Sequence, residues 1–166
     1  MEVTPKLISY YNAELRVSLL VPEDWTAVQI SPSMFRLFGV PESGLEEYFE
    51  AYRVSMSFEL KEVSQATSGP LEALVKQNNL DMEKEYNAYH LLDDSFFELG
   101  PNQCYQKHYN WVEENTGLTL FQLQALLRTG LSDLYVVNAA VVKGLEKKYL
   151  PVFDNILKSL RIIPRP

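Results

Sequence analysis

Residues 131–160, LSDLYVVNAAVVKGLEKKYLPVFDNILKSL, decide the fold. The stretch reads as a strand, a tight turn at Lys143-Gly144, and a helix. Within 131–142, Tyr135, Val137, Ala139 and Val141 point one way, and Leu134, Val136 and Ala140 the other. A strand apolar on both sides lies inside a sheet and is covered above and below. Leu145, Tyr149, Val152, Phe153, Ile156, Leu157 and Leu160 recur at helical spacing and form one stripe to bury. The helix is therefore expected to cover one face of that strand. Pro151 interrupts the stripe. Either the helix kinks there, or 145–150 is a separate turn and the main helix starts near Pro151; the second is simpler, because a proline in a first turn sacrifices no hydrogen bond.

Upstream, 118–128 places Phe121, Leu123, Ala125 and Leu127 on one face. It pairs back on 103–113 through a turn at Glu114-Asn115-Thr116-Gly117. Residues 89–92 and 96–99 read as two short strands around a turn at Asp93-Asp94-Ser95. Val54, Met56, Phe58 and Leu60 alternate with polar residues, which predicts a half-buried strand over 53–63. Ser68-Gly69-Pro70 opens a helix with proline at its first position and Leu71, Leu74 and Val75 as its buried stripe. That helix is expected to end near Asn78-Asn79, or one turn later over 81–86. At the N-terminus, 6–11 pairs with 14–21, and 26–31 with 34–40 around Ser31-Pro32-Ser33. Residues 41–51 read as one helical turn or a long loop tip. Short turns between neighbouring strands make the sheet mainly antiparallel. The class is α+β, one domain over 1–166, with helices packed on a twisted sheet.

The composition narrows function. The chain has 166 residues, 46% hydrophobic, with a net charge of −7. That charge argues against nucleic acid and against an anionic membrane surface. Residues 1–83 hold six basic and thirteen acidic side chains, whereas 84–166 hold nine of each. The acidic excess serves solubility, or makes an acidic face for a basic partner. One cysteine, Cys104, leaves no internal disulfide. The opening MEVTPKLISYY has neither the basic nor the apolar region of a signal peptide. No apolar run approaches the ~18 residues of a membrane span. The expected location is cytoplasmic; a leader already removed would leave no trace.

Catalytic chemistry is not evident. Two histidines and one cysteine do not make the usual zinc site. His90 and His108 fall on different strands and are each expected to be partly exposed, His108 titrating near ~6.5. Cys104 is expected to be a buried small hydrophobe. The acid pairs Glu46-Glu47, Asp93-Asp94 and Glu113-Glu114 read as solvated strand ends. No catalytic residue, metal ligand or cofactor is expected. The aromatic load carries more signal, with ten tyrosines and eight phenylalanines. Tyr105, Tyr109 and Trp111 share one strand face, and either line a pocket or a protein-binding surface or belong to the core. Tyr48, Phe49 and Tyr52 lie near the loop tip and are candidates for exposure.

Four segments together resemble the Mog1/PsbP-like superfamily: LLVPEDW at 19–25, YRVSMSFEL at 52–60, SGPLEALV at 68–75 and ILKSLRI at 156–162. The resemblance implies a central antiparallel sheet with helices on both faces. The family holds photosystem II extrinsic subunits, a Ran-binding nuclear import factor, bacterial lipoproteins of the DcrB type and secretion chaperones, most of them accessory or binding proteins. This chain has no acid over 26–38, where the Ran-binding members carry an acidic motif. It also lacks the lipidated cysteine of the lipoproteins near its start. The implied function is a non-catalytic binding protein, adaptor or chaperone-like, with a protein partner. Its aromatic surface would be drawn from Tyr48, Phe49, Tyr52, Tyr105, Tyr109 and Trp111. The alternative is a small-ligand protein or minor enzyme with a pocket between sheet and helix and His90, His108 and Tyr105 as polar groups. A homodimer is compatible with either, since antiparallel sheets leave edges to cover.

Overall fold

The computed structural model of the chain describes residues 6–42, 44, 46, 52–62, 69–129 and 133–163. In chain order the elements are β1 (Leu7–Asn12), β2 (Val17–Pro22), β3 (Thr26–Ser31), β4 (Met34–Phe38), β5 (Ser55–Glu62), α1 (Leu71–Glu85), β6 (His90–Leu99), β7 (Asn102–Val112), β8 (Thr119–Thr129), β9 (Asp133–Val142), α2 (Glu146–Ser159) and β10 (Arg161–Ile162). The two-faced strand expected from the sequence is β9. It lies fourth in a seven-stranded antiparallel sheet ordered β3-β4-β5-β9-β8-β7-β6. A second sheet, β1-β2-β10, has three strands.

Each face of β9 floors its own core. Tyr135, Val137, Ala139 and Val141 join Leu123, Ala125 and Leu127 of β8 and Met56 and Phe58 of β5. The stripe of α2 (Tyr149, Phe153, Ile156, Leu157) lies on that floor, beside Val17, Leu19 and Val21 of the small sheet. Each such side chain contributes roughly 1.5–3 kcal/mol by leaving water. On the opposite face, Leu71 and Val75 of α1 meet Tyr105, Leu126, Leu134 and Val136. The architecture is α+β, with a helix on either side of a large antiparallel sheet.

Three local expectations are corrected. First, α2 runs unbroken from Glu146 to Ser159 with Pro151 inside it. Pro151 and Lys147, whose carbonyl it leaves without its helix partner, are both exposed, while buried Tyr149 and Phe153 hold the helix on both sides of the proline. Pro151→Ala is accordingly expected to raise stability by about 1–3 kcal/mol, read from urea unfolding. No gain would show that the turn before Pro151 is held by contacts rather than by helix hydrogen bonds.

Second, Pro70 caps α1 instead of opening it, and of the two expected ends the later one holds, with the helix continuing past Asn78-Asn79 to Glu85. Asparagines weaken helices when their amides compete for nearby backbone groups. Here those amides are engaged by the sheet: Asn78 donates to Gln124 at 2.6 Å and Asn79 to the Tyr105 hydroxyl at 3.2 Å. Third, the expected turn at Asp93-Asp94-Ser95 is the middle of one ten-residue strand, β6. A bulge between Leu91 and Asp93 adjusts its register against β7.

Candidate functional site

The β7 sequence NQCYQKHYNWV sets the site by parity, because successive side chains point to opposite faces. Tyr105, Lys107, Tyr109 and Trp111 face α1, whereas Cys104 and His108 face α2. Lys107 is fully buried. Its Nζ donates to Asn79 Oδ1 at 2.8 Å and to the Tyr89 hydroxyl at 3.0 Å. It also sits 5.2 Å from the Tyr89 ring centroid and 5.1 Å from that of Tyr109, within cation–π range. Tyr86 closes the group, 4.9 Å from Trp111 and 6.1 Å from Tyr109 between centroids. The Tyr105 hydroxyl donates to Asp94 at 2.9 Å, and that of Tyr109 to Gln122 at 2.6 Å. A polar layer thus lies between α1 and the sheet, with one ammonium inside an aromatic surround.

Burial disfavours the charged amine and lowers the Lys107 pKa to about 8, against the opposing pull of Asp94 and Glu83. An unfolded lysine titrates near ~10.4. Between these values the unfolded chain binds a proton that the native chain does not, so stability rises with pH across the window. Comparison with Lys107→Met isolates the effect. The stability difference is expected to move in favour of the native lysine by about 2 kcal/mol between pH ~7.5 and ~10, followed by urea unfolding. A constant difference would mean that Lys107 titrates as a solvated amine.

On the other face His108 is 8% exposed. Its Nδ1 lies 2.6 Å from Asp93 and its Nε2 3.1 Å from Asp154 of α2. A ring with a carboxylate at each nitrogen is held as the imidazolium, donating both ways. The Asp154 hydrogen bond is the largest cause, and it raises the His108 pKa to about 9 despite burial. The expectation of a partly exposed histidine near its ordinary value is therefore corrected. Asp93-Asp94 is exposed, as expected, but stands mid-strand and not at a turn or strand end. In register, Asp93 stands opposite His108 and Asp94 opposite Lys107, so two acids of β6 face two cations of β7.

The described members of the expected aromatic surface do not share one exposed face. Tyr105 and Tyr109 are 1% and 0% exposed, roofed by α1 and the residues that follow it, so no partner reaches them. Trp111 is half-buried, and its indole nitrogen is buried without a hydrogen-bond partner. Tyr52 is half-buried. Tyr48 and Phe49 lie outside the described residues. Nor do His90, His108 and Tyr105 line one pocket. His108 and Tyr105 are on opposite faces of β7, and His90 is exposed on β6. A small apolar recess lined by Leu99, Asn102, Leu127, Leu160 and Ile162 shares no residue with them. Among the described residues, no three His, Cys, Asp or Glu side chains group as a metal site requires. Sequence reasoning missed Lys107. Its signal was the Lys-His pair lying in register with the Asp-Asp pair, visible only once β6 is read as one strand.

No protein-family model and no curated protein sequence matches the chain significantly. Solved structures do match, over nearly the whole chain. LpqN of Mycobacterium tuberculosis, involved in cell envelope biogenesis, aligns with a TM-score of 0.70 at 13% identity, covering 96% of this chain and 91% of its own. The PsbP protein of the cyanobacterium Synechocystis sp. PCC 6803, CyanoP, gives 0.64 at 13% identity, covering 98% and 95%. The Ran-binding protein Mog1p of Saccharomyces cerevisiae gives 0.61 at 11% identity, covering 95% and 96%. The strand order, the helix on each face and these three alignments together give the chain the Mog1/PsbP-like fold.

Proposed function

We propose that the chain is a non-catalytic binding protein, adaptor or chaperone-like in role, acting on another protein as one Mog1/PsbP-like domain. One observation carries the reading: exposed large apolar side chains concentrate on edge strands. Leu7, Ile8 and Tyr11 are on β1, Val28 and Ile30 on β3, and Leu91, Leu92 and Phe96 on β6, each at least 40% exposed. An edge also presents unpaired N–H and C=O groups, so a partner gains main-chain hydrogen bonds and apolar burial together. The fold shared with a Ran-binding protein supports a protein partner in kind, not in identity. No helix among the described residues is long and apolar enough to cross a membrane. The loop aromatics Tyr48, Phe49 and Tyr52 are proposed as an accessory contact.

The test is affinity capture from the native host on the immobilised chain, followed by calorimetry with the purified partner. A stoichiometric complex is expected, weakened about tenfold by Tyr48→Glu with Phe49→Glu. A chain that retains no protein overturns the binding role; full affinity in the double variant removes only the loop contact.

A further inference from the structure

The three edges differ in charge. Neither β1 nor β3 contains a charged residue, whereas β6 carries Asp93, Asp94 and Glu98. Asp93 turns to the α2 side and is taken up by His108. Asp94 and Glu98 turn to the α1 side, with Phe96 between them. Along that side runs one stripe of α1: Glu72, Lys76, Asn79 and Glu83. Gln103, the cross-strand partner of Glu98, donates to Glu72 at 3.2 Å and so links the β6–β7 pair to the start of α1. Glu83 and Asp94 both act on Lys107 and on Tyr89. On the α1 side of β6 the described residues therefore present four carboxylates, Asp94 and Glu98 on the strand and Glu72 and Glu83 on α1, and one exposed ammonium, Lys76. Phe96 is 47% exposed and Leu91 40% exposed on the same side. Beyond the bulge, residues 93–99 pair with β7 without a break, which leaves a straight outer edge.

We propose that β6 is the docking edge for an extended basic segment of a partner protein, which adds to the large sheet as an eighth strand. Its Lys and Arg side chains face Asp94, Glu98, Glu72 and Glu83, and its apolar side chains cover Leu91 and Phe96. Charge selects this occupant. A second copy of the chain would bring the same carboxylates against their equivalents, and like charges directly opposite destabilise strand pairs. A basic strand meets a complementary border and is steered to it. Main-chain hydrogen bonds supply the attachment and the alternating side chains the choice of partner. The inference rests on the binding role proposed above and deepens it.

The experiment uses the full chain and a fluorescein-labelled peptide of nine residues alternating Lys and Val, with a Glu/Val peptide as control. Fluorescence anisotropy is expected to show binding of the Lys/Val peptide only. Affinity should fall about tenfold or more in the Glu83→Lys/Glu98→Lys variant. It should also weaken as salt rises from about 50 to about 300 mM. Both substituted residues are exposed, and a thermal melt checks that the variant is folded. Hydrogen exchange should show new protection on β6 and none on β1 or β3. Protection on β1 or β3 instead, equal binding of the two peptides, or no binding at about 1 mM overturns the proposal. Concentration-dependent dimerisation that protects β6 without peptide makes a second copy the occupant and overturns it too. A host partner retained equally by native chain and variant removes the edge and leaves the binding role. A chain that retains no partner removes the role itself.

Discussion

Phe153→Ala is expected to destabilise the chain by about 3–5 kcal/mol, the largest single effect foreseen here. Phe153 is 0% exposed at the centre of the buried stripe of α2. Its ring meets Trp25 edge-on at 6.3 Å and Tyr149 at 6.5 Å between centroids. The cost of such a truncation depends on how far the surroundings collapse into the space left. Collapse is hindered here because α2 is fixed along its length. Lys148 and Tyr149 both contact Glu42 near the start, and Asp154 meets His108 in the middle. Ser159 accepts from the Leu20 amide at 2.9 Å at the end. Urea unfolding measures the effect. A loss below about 1.5 kcal/mol would show that α2 settles into the gap despite these ties.

The second large effect is on pH dependence. In the unfolded chain His108 titrates near ~6.5; in the native chain it is held up to about 9. Its contribution is therefore complete below pH ~6.5 and lost as pH rises through about 9. At about 1.4 kcal/mol per unit the full shift is worth about 3 kcal/mol. Asp93, one of its partners, is 68% exposed in its side chain. Solvent screening of that contact brings the expectation to about 2 kcal/mol. Stability should fall by that amount between pH ~6.5 and ~9, and the fall should vanish in His108→Gln. Asp154→Asn should flatten the profile more than Asp93→Asn, because Asp154 is the larger cause. The Lys107 window runs the opposite way and begins near pH 8. Single variants separate the two where they overlap. An unchanged profile in His108→Gln would show that the carboxylates do not hold the proton.

The architecture was legible where periodicity and burial agree. The two-faced pattern of β9 and the stripe of α2 gave the middle of the sheet and its cover, and the alternation over 53–63 gave β5. Legibility failed where distant partners override local propensity. Asp93-Asp94-Ser95 has the composition of a turn, yet His108 and Tyr105 accommodate the two acids on opposite sides of a continuous strand. Asn78-Asn79 has the composition of a helix end, yet partners on the sheet carry α1 onward. Parity on β7 was readable for Tyr105, Tyr109 and Trp111. Their roof was not, because it depends on how far α1 extends and on Tyr86 and Tyr89 beyond it. The charged border of β6 was half visible as the acidic bias of 1–83. Its other half, Asp94 and Glu98, lies in the balanced remainder and joins Glu72 and Glu83 only in three dimensions.

The back-to-back arrangement of His108 and Lys107 has a mechanical consequence. The outermost ribbon is riveted through both sides of the sheet, so a force that peels it away must uncover an ammonium on one side in the same motion that frees an imidazolium on the other. Pulled from that rim, the molecule should resist until both fastenings give way together, and rupture abruptly instead of unzipping residue by residue.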